Sequence, residues 1–365
     1  MERDDTLRVG VVGVGWAGQQ HLAAYHVLPG VEVAAIAALE APARAEVAAR
    51  FGVECHVDRW EDLLDIEGLD AVSVAAPTFL HAPVTIAALE RRLHVLCEKP
   101  LARTVAEGTA MVEAARRAGR VLDVAFNKRQ RGDIRKLHEI VAAGRLGSPY
   151  YAKTWWMRGR GIPTLGSWFT RAELAGGGPL LDIGVHVLDY ALFVLGRPAV
   201  TTVSASTYDH LGTAGFGSSP GSDKTGVSGA RVFDVEDLAT VFMRLEGGGT
   251  LLLEASWAAH RPAPDELGLT VFGTGGGAEL VIHDQDEAGS LRIFTDDGGV
   301  PAETRLATEL GGAHDLVVEQ FVRTVRSGEW DGADGSAALQ LARVVQCCYR
   351  SAAEGREIVV DPRAP

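Results

Sequence analysis

Three ionisable side chains interrupt an apolar stretch near the middle of the chain. The segment GGGPLLDIGVHVLDY places Asp182, His186 and Asp189 at intervals of four and three residues. If Pro179 lies in the first turn of a helix, these three positions share one helix face. Imidazole titrates near neutrality, so His186 can exchange a proton with a bound molecule, and Asp182 can orient the ring or hold a hydroxyl group. The pattern predicts a helix with a polar face directed to a cleft.

The sequence also allows simpler roles for the same residues. Asp182 could cap the helix, His186 could be a core histidine with a backbone partner, and Asp189 suits a salt bridge. Asp182 and His186 could instead bind a metal ion, but no third ligand accompanies them in the sequence, so we predict no metal site.

A second stretch that could do chemistry lies at the start of the chain. VGVVGVGWAG places Gly13, Gly15 and Gly18 in the pattern Gly-x-Gly-x-x-Gly, after an apolar run and before a helical one. In that context the first glycine permits a tight turn, the second lets the backbone approach a pyrophosphate, and the third lets helix and strand pack closely. The helix N-terminus would then face the phosphates. The residues between the glycines, Val14, Trp16 and Ala17, complete the predicted dinucleotide-binding turn.

The second apolar run should carry the residue that selects the dinucleotide. An acid at the end of this strand normally binds the ribose hydroxyls. Here the run ends in Ala38-Leu39-Glu40, so the acid stands two residues late. We predict NAD, bound through Glu40. NADP stays an alternative, because Arg44 follows one helical turn later.

Short apolar runs alternate with amphipathic ones through the first third of the chain. The predicted strands are 7–12, 31–39, 71–76, 94–97 and 121–126, and the predicted helices are 19–27, 43–51, 84–91 and 104–118. This alternation indicates a parallel sheet covered on both faces. We therefore predict an α/β protein whose residues 1–127 form a Rossmann dinucleotide-binding domain.

The pattern changes after Asn127. A helix at 134–143 and a strand at 149–157 precede strands at 200–208, 237–246, 250–258, 267–273, 279–283 and 291–295, and helices at 313–327 and 336–353 end the chain. Short glycine turns between these strands indicate a mostly antiparallel, open sheet. Residues 210–231 are rich in Gly and Ser and are predicted to form a loop. We assign 128–365 to a second domain for substrate binding and oligomerisation.

Composition limits the class of protein. The chain has 365 residues, 47% of them hydrophobic, and a formal net charge of −13. A strongly acidic protein repels nucleic acid, so we expect no such partner. No apolar run approaches the roughly 18 residues of a membrane span, and the charged N-terminus does not resemble a signal peptide. Four cysteines without a Cys-x-x-Cys pair favour a reduced, cytoplasmic protein.

Three motifs in order carry a family resemblance. LCEKP at 96–100 ends a strand in Glu-Lys-Pro, AAPTFLH at 75–81 precedes it, and the Asp182–His186 pair follows a Gly-rich turn. With the glycine turn, this chain resembles the Gfo/Idh/MocA family of oxidoreductases over essentially its whole length. The resemblance implies a Rossmann domain followed by an α/β domain, and hydride transfer to or from a sugar, polyol or related ring alcohol.

The resemblance also implies site residues. The catalytic residues would be Lys99, Asp182 and His186, which would also touch substrate, and residues bordering the cofactor would be Pro77, Thr78, His81, Glu98, Lys99 and Asn127. The residues themselves suggest two further substrate contacts: Trp168, in a Gly-flanked loop before the predicted helix, could stack on a sugar ring, and Arg160 could reach its hydroxyls. The alternatives are a core aromatic and a solvated loop. Thr78 stands where the family commonly has Asn. The Lys99 ammonium follows a parallel strand, where it could stabilise a developing alkoxide. Segments 160–163, 166–170 and 234–239 are similar to a subgroup that acts on glucosides and free sugars.

We therefore predict an NAD-dependent dehydrogenase or reductase of a sugar, glycoside or cyclitol. Two other functions stay open: an NAD-dependent glycosidase that transfers hydride only transiently, and a non-catalytic sugar or dinucleotide sensor. Strands carrying Leu251, Leu253, Phe242 and Trp257 are too apolar for solvent on both faces, which predicts a homodimer or homotetramer joined through that sheet.

Overall fold

The computed structural model describes residues 6–218, 232–286, 289–308 and 313–361. Two compact units divide the chain. The first contains the described residues up to Asn127 together with 313–342, and the second contains those from 128 to 308 together with 343–361.

Regular structure covers most of both units. The strands are β1 Leu7–Val12, β2 Val31–Ala37, β3 His56–Val57, β4 Ala71–Val74, β5 His94–Cys97, β6 Leu122–Val124, β7 Pro149–Arg158, β8 Val200–Tyr208, β9 Leu238–Leu245, β10 Thr250–Ser256, β11 Asp265–Gly273, β12 Gly276–His283, β13 Ser290–Asp297, β14 Val300–Leu306 and β15 Ile358–Val359. The helices are α1 Trp16–Val27, α2 Ala41–Phe51, α3 Trp60–Leu64, α4 His81–Glu90, α5 Val105–Ala118, α6 Gly132–Ala142, α7 Ala172–Ala175, α8 Val185–Val194, α9 His210–Thr213, α10 His314–Ser327 and α11 Ser336–Glu354.

The first unit is built on a six-stranded sheet with the order β3-β2-β1-β4-β5-β6. Every pair in it is parallel. This is the order of a doubly wound nucleotide-binding sheet, in which ligands bind outside the carboxyl ends of the strands. The strands are buried and rich in Val, Ile and Leu, as a sheet covered on both faces requires. The predicted Rossmann sheet is confirmed.

Helix α10 packs in the first unit, whereas the sequence pattern assigns all of 128–365 to the second domain. Its apolar face buries Val318, Phe321 and Val325 in the same core as the β1 strand. Arg326 near its end donates hydrogen bonds to the Pro29 and Gly30 carbonyls. The amphipathic period predicts a helix here, but not which core receives its apolar face.

The second unit is built on a nine-stranded sheet with the order β14-β13-β12-β11-β7-β10-β9-β8-β15. All pairs are antiparallel except β7 with β10. The predicted mostly antiparallel sheet is confirmed. The edge strands β14 and β15 were not predicted, because one is mostly polar and the other has two residues. Of the predicted loop 210–231, His210–Thr213 forms α9, and 219–231 lie outside the described residues.

One face of this sheet lies under helices α6 and α8. Leu251 and Leu253 point into that covered core, and Trp257 is fully buried beside it. Phe242 and Leu252 are half-buried on the opposite face. Four residues suggested an apolar outer face, but only Phe242 of these lies on the outer face. The reason is that successive side chains along a strand point to opposite faces of the sheet.

The stretch Ala172–Val194 is long and apolar enough, by length and composition, to cross a membrane. This differs from the expectation that no apolar stretch approaches such a length. However, 89% of its most apolar window is buried inside the protein, so it forms the core of the second unit.

Candidate functional site

The Gly-x-Gly-x-x-Gly turn has the geometry that its residues predict. Gly13 has φ 98°, and a Cβ there would lie 2.3 Å from the Ala75 carbonyl oxygen. A Cβ on Gly18 would lie 2.0 Å from the Gly13 oxygen. At Gly15, by contrast, a Cβ would meet no described atom within 4 Å. The second glycine thus faces open space at the start of α1, where a pyrophosphate could approach the backbone.

The end of β2 carries the residues expected to select the dinucleotide. The strand ends at Ala37, and Glu40 is an exposed residue at the start of α2. The Arg44 guanidinium turns back and donates a hydrogen bond to the Ala38 carbonyl. Glu40 is free to reach a ribose, and its role remains a prediction.

The loop after β4 contains Pro77, Thr78 and His81. Thr78 is buried in a short helical turn, and His81 is buried at the start of α4. The His81 ring places Nδ1 2.7 Å from the Pro100 oxygen and Nε2 3.0 Å from the Ala76 oxygen. Burial lowers the pKa of His81 below its ordinary value, although these carbonyls oppose that effect. The ring ties together the loops at the ends of β4 and β5.

Glu98 and Lys99 follow β5 directly. The buried Glu98 carboxylate lies 3.1 Å from His21 Nε2 and 3.4 Å from His314 Nε2, and it accepts the Lys99 backbone N–H at 3.2 Å. Burial raises the pKa of Glu98, but the hydrogen bonds from His21 and His314 outweigh it and hold the pKa well below its ordinary value. The acid of the Glu-Lys-Pro motif is therefore an ionised group inside a hydrogen-bonded cluster.

This cluster continues in both directions. Behind His21, Nδ1 lies 3.1 Å from Ser73 Oγ, which lies 2.9 Å from the Tyr25 hydroxyl. On the other side, Asn127 Nδ2 lies 3.1 Å from the His314 ring nitrogens. The Asn127 Oδ1 atom has no hydrogen-bond partner among the described residues. Sequence reasoning identified only Glu98 and Asn127 here.

His21, Glu98 and His314 also offer three ligand atoms within 4.8 Å of one another, so this cluster could hold a metal ion. The contacts with Ser73 and Asn127 occupy the remaining ring nitrogens, as a hydrogen-bonded network requires. We interpret the cluster as that network.

The second unit brings Asp182 and His186 onto adjoining turns. Asp182 lies in a π-helical turn, Leu180–Gly184, that leads directly into α8, so the pair does not have regular α-helical spacing. Trp257 Nε1 donates a hydrogen bond of 2.9 Å to Asp182 Oδ2. The buried His186 ring lies 5.8 Å from the Trp156 ring.

Asp189, one turn further along α8, forms a salt bridge of 3.2 Å with Arg129. This confirms the structural role that the sequence favoured for Asp189. Both partners are in the second unit.

A buried glutamate that the sequence did not single out anchors the start of this helix. Glu236 accepts the backbone N–H groups of Gly178 and Leu180, each at 2.9 Å, and the Tyr349 hydroxyl at 2.9 Å. A Cβ on Gly177 would lie 2.1 Å from the Tyr349 hydroxyl oxygen. Burial raises the pKa of Glu236, and the hydrogen bonds oppose it. The only sequence signal was the motif similarity of segment 234–239.

Arg160 and Trp168 lie in the loop before α7. The exposed Arg160 guanidinium lies 4.9 Å from the Phe216 ring centre. Trp168 is half-buried and stacks on Phe169 with ring centres 3.8 Å apart. Their contact with substrate remains a prediction.

A parallel sheet with this glycine turn, followed by a unit carrying Asp182 and the buried His186 on adjoining turns, is the pattern of a dinucleotide-dependent oxidoreductase. Comparison with known protein families supports this class of enzyme. Residues 7–126 match the oxidoreductase family with an NAD-binding Rossmann fold, and residues 134–279 match the GFO/IDH/MocA C-terminal domain. The chain belongs to the Gfo/Idh/MocA family.

Named relatives align with more than nine tenths of the chain. D-glucoside 3-dehydrogenase of Escherichia coli (strain K12) is 31% identical, with 96% of this chain and 97% of that protein aligned. Myo-inositol 2-dehydrogenase of Thermotoga maritima is 27% identical over 92% of this chain and 94% of that protein. A levoglucosan dehydrogenase in complex with NADH and levoglucosan shares the fold, with a TM-score of 0.83, 24% identity and coverage of 98% of this chain and 100% of that one. The protein is an oxidoreductase with an NAD-binding Rossmann domain.

Proposed function

We propose that this enzyme interconverts a ring hydroxyl and the corresponding ketone on a sugar, glycoside or cyclitol. The full-length relatives named for a glucoside and for an inositol support this substrate class. Exposed Arg160 and half-buried Trp168 suit a polyhydroxylated ring, because guanidinium groups bind hydroxyls and indole stacks on sugar faces.

Each catalytic residue has a chemical role in this proposal. NAD, when bound at the glycine turn, supplies the hydride acceptor. His186 removes the hydroxyl proton, and Asp182 orients the substrate or the imidazole. Lys99 stabilises the negative charge that develops on the oxygen.

The observation that carries the proposal is the anchoring of Asp182 and His186. Trp257 holds the Asp182 carboxylate, and Glu236 holds the turn in which Asp182 lies. A half-buried aspartate and a buried histidine on fixed adjoining turns are arranged for proton transfer, which a binding protein does not need. The sensor alternative is therefore not favoured. The glycosidase alternative is not favoured because the named full-length relatives are dehydrogenases.

The test is a panel of free sugars, glucosides and inositols, each incubated with NAD or NADP while the absorbance of the reduced nicotinamide is recorded. We expect net reduction with at least one class and a preference for NAD, through Glu40. Release of free sugar from a glucoside without net reduction would show a glycosidase instead. A preference for NADP would contradict the assignment of Glu40.

We also propose that the enzyme is cytoplasmic and forms a homodimer or homotetramer through the outer face of the nine-stranded sheet. All four cysteines are free thiols, in keeping with a reducing compartment. On the outer face Tyr151 and Phe272 stack with ring centres 5.6 Å apart. Phe272 is exposed and Tyr151 is half-buried, and aromatic side chains on a solvent-facing surface are enriched at interfaces. Light scattering at micromolar concentration tests the assembly, and a monomer would contradict it.

A further inference from the structure

The buried cluster behind Lys99 joins three distant parts of the chain. His21 comes from α1, Glu98 from the end of β5, and His314 is the first residue of α10. Both histidines face Oε1 of Glu98, while Oε2 accepts the backbone N–H of Lys99. The carboxylate is therefore held from both sides, and its orientation is tied to the backbone of the proposed catalytic lysine.

The partners of the two rings determine where their protons lie. A carboxylate only accepts, so His21 Nε2 and His314 Nε2 must each carry a proton toward Glu98. The other nitrogen of His21 then accepts from Ser73, which in turn accepts from Tyr25. A protonated Glu98 would turn charge-assisted hydrogen bonds from both rings into weaker neutral ones. The network therefore stabilises the ionised acid.

We propose that His314 is a positioning residue for the reaction: with His21 it keeps the Glu98 carboxylate charged and fixed against the backbone of Lys99. The inference rests on the proposed role of Lys99. Residues that act in this way are found at sites where a neighbouring reactive group must hold one geometry.

The charged groups around Glu98 determine the pH at which its carboxylate protonates. Among the described residues, the ionisable groups near it are His21 from α1, His314 from α10, the adjacent Lys99 and the buried thiol of Cys97. His81 from α4 also interacts with the charges of Glu98 and Lys99. Removing His314 removes one of three donors to the carboxylate. Glu98 then protonates at a higher pH, and Lys99 loses its negative neighbour there.

The experiment compares His314→Leu, which cannot hydrogen-bond, with His314→Gln, which retains a donor, in the full-length enzyme. Val325→Ala is the matched control, since it opens the core around the same helix and does not belong to the cluster. With the sugar found in the substrate panel, we expect His314→Leu to move the acid limb of kcat upward by about one pH unit. His314→Gln should restore much of the shift, and Val325→Ala should leave the profile unmoved.

A second readout needs no substrate. The depressed pKa of Glu98 contributes stability above the ordinary glutamate range, and that contribution is lost as the pH falls below it. The difference in Tm between wild type and His314→Leu should therefore shrink below about pH 4.3, whereas the Val325→Ala difference stays constant. This result is independent of which reaction the enzyme performs, so it separates failure of the inference from failure of the proposed function.

Two outcomes would overturn the inference. One is a His314→Leu enzyme that melts lower by the same amount at every pH and has an unmoved kcat profile, since His314 would then be a packing residue. The other is one equivalent of metal per chain in the purified wild-type enzyme, lost in His314→Leu, because the ring nitrogens would then be metal ligands.

Discussion

Replacing Glu236 by glutamine changes one atom at the anchor of the proposed catalytic turn. The carboxylate accepts hydrogen bonds from Gly178 N, Leu180 N and the Tyr349 hydroxyl. A glutamine amide has one oxygen, so its NH₂ group must face one of these donors. One buried N–H is then left without an acceptor.

The loss in free energy of unfolding can be estimated from these hydrogen bonds. A buried donor without a partner costs about 1–3 kcal/mol, and hydrogen bonds to a charged group are stronger than neutral ones. We expect Glu236→Gln to lower the free energy of unfolding by about 2–4 kcal/mol. Tyr349→Phe is the matched control, because it removes one donor and leaves both backbone N–H groups bonded. Its cost should be about 1 kcal/mol.

The effect on activity should be selective. Gly178 and Leu180 lead into the turn that holds Asp182, so their displacement should lower kcat in Glu236→Gln. The dissociation constant for NAD should stay unchanged, because the glycine turn belongs to the other compact unit. Urea denaturation, steady-state kinetics and NAD titration measure the three quantities. A Glu236→Gln enzyme as stable and as fast as wild type would show that the anchor has no role.

Three further predictions test other parts of the molecule. His186→Ala should keep its fold and its NAD affinity but lose roughly 10²–10⁴ in turnover, the usual contribution of a general base; a destabilised variant with normal turnover per folded molecule would make His186 a core residue. Gly13→Ala should lower the Tm, because Gly13 has a φ of 98° and a Cβ there has no room. Gly15→Ala should have a Tm near that of wild type, because a Cβ there meets no described atom, but it should bind NAD more weakly. Equal Tm values for the two variants would contradict this prediction. Cys97 and Cys348 are buried, which raises their thiol pKa, so a thiol reagent should modify at most two of the four cysteines before unfolding, and fast reaction of all four would refute it.

The sequence by itself determined the features that depend on neighbouring residues. The glycine turn could be recognised because Gly13 adopts a positive φ and Gly18 packs directly on the Gly13 carbonyl, and glycine meets both demands. The alternating runs predicted the parallel sheet, since a strand, a helix and the next strand bury their apolar faces in one repeating way. The position of Lys99 after a strand followed from the same pattern. These features need only a few consecutive residues.

The tertiary structure alone decided which distant residues meet. Helix α10 has an amphipathic period in the sequence, but only packing showed that it joins the first core and brings His314 to Glu98. Glu236 and Tyr349 are far apart in the chain and meet at the start of the proposed catalytic turn. Hydrophobic burial is non-directional, so a periodic pattern specifies that a face is covered and leaves its partner undetermined. Hydrogen bonds between distant buried polar groups form only after that partner has been chosen.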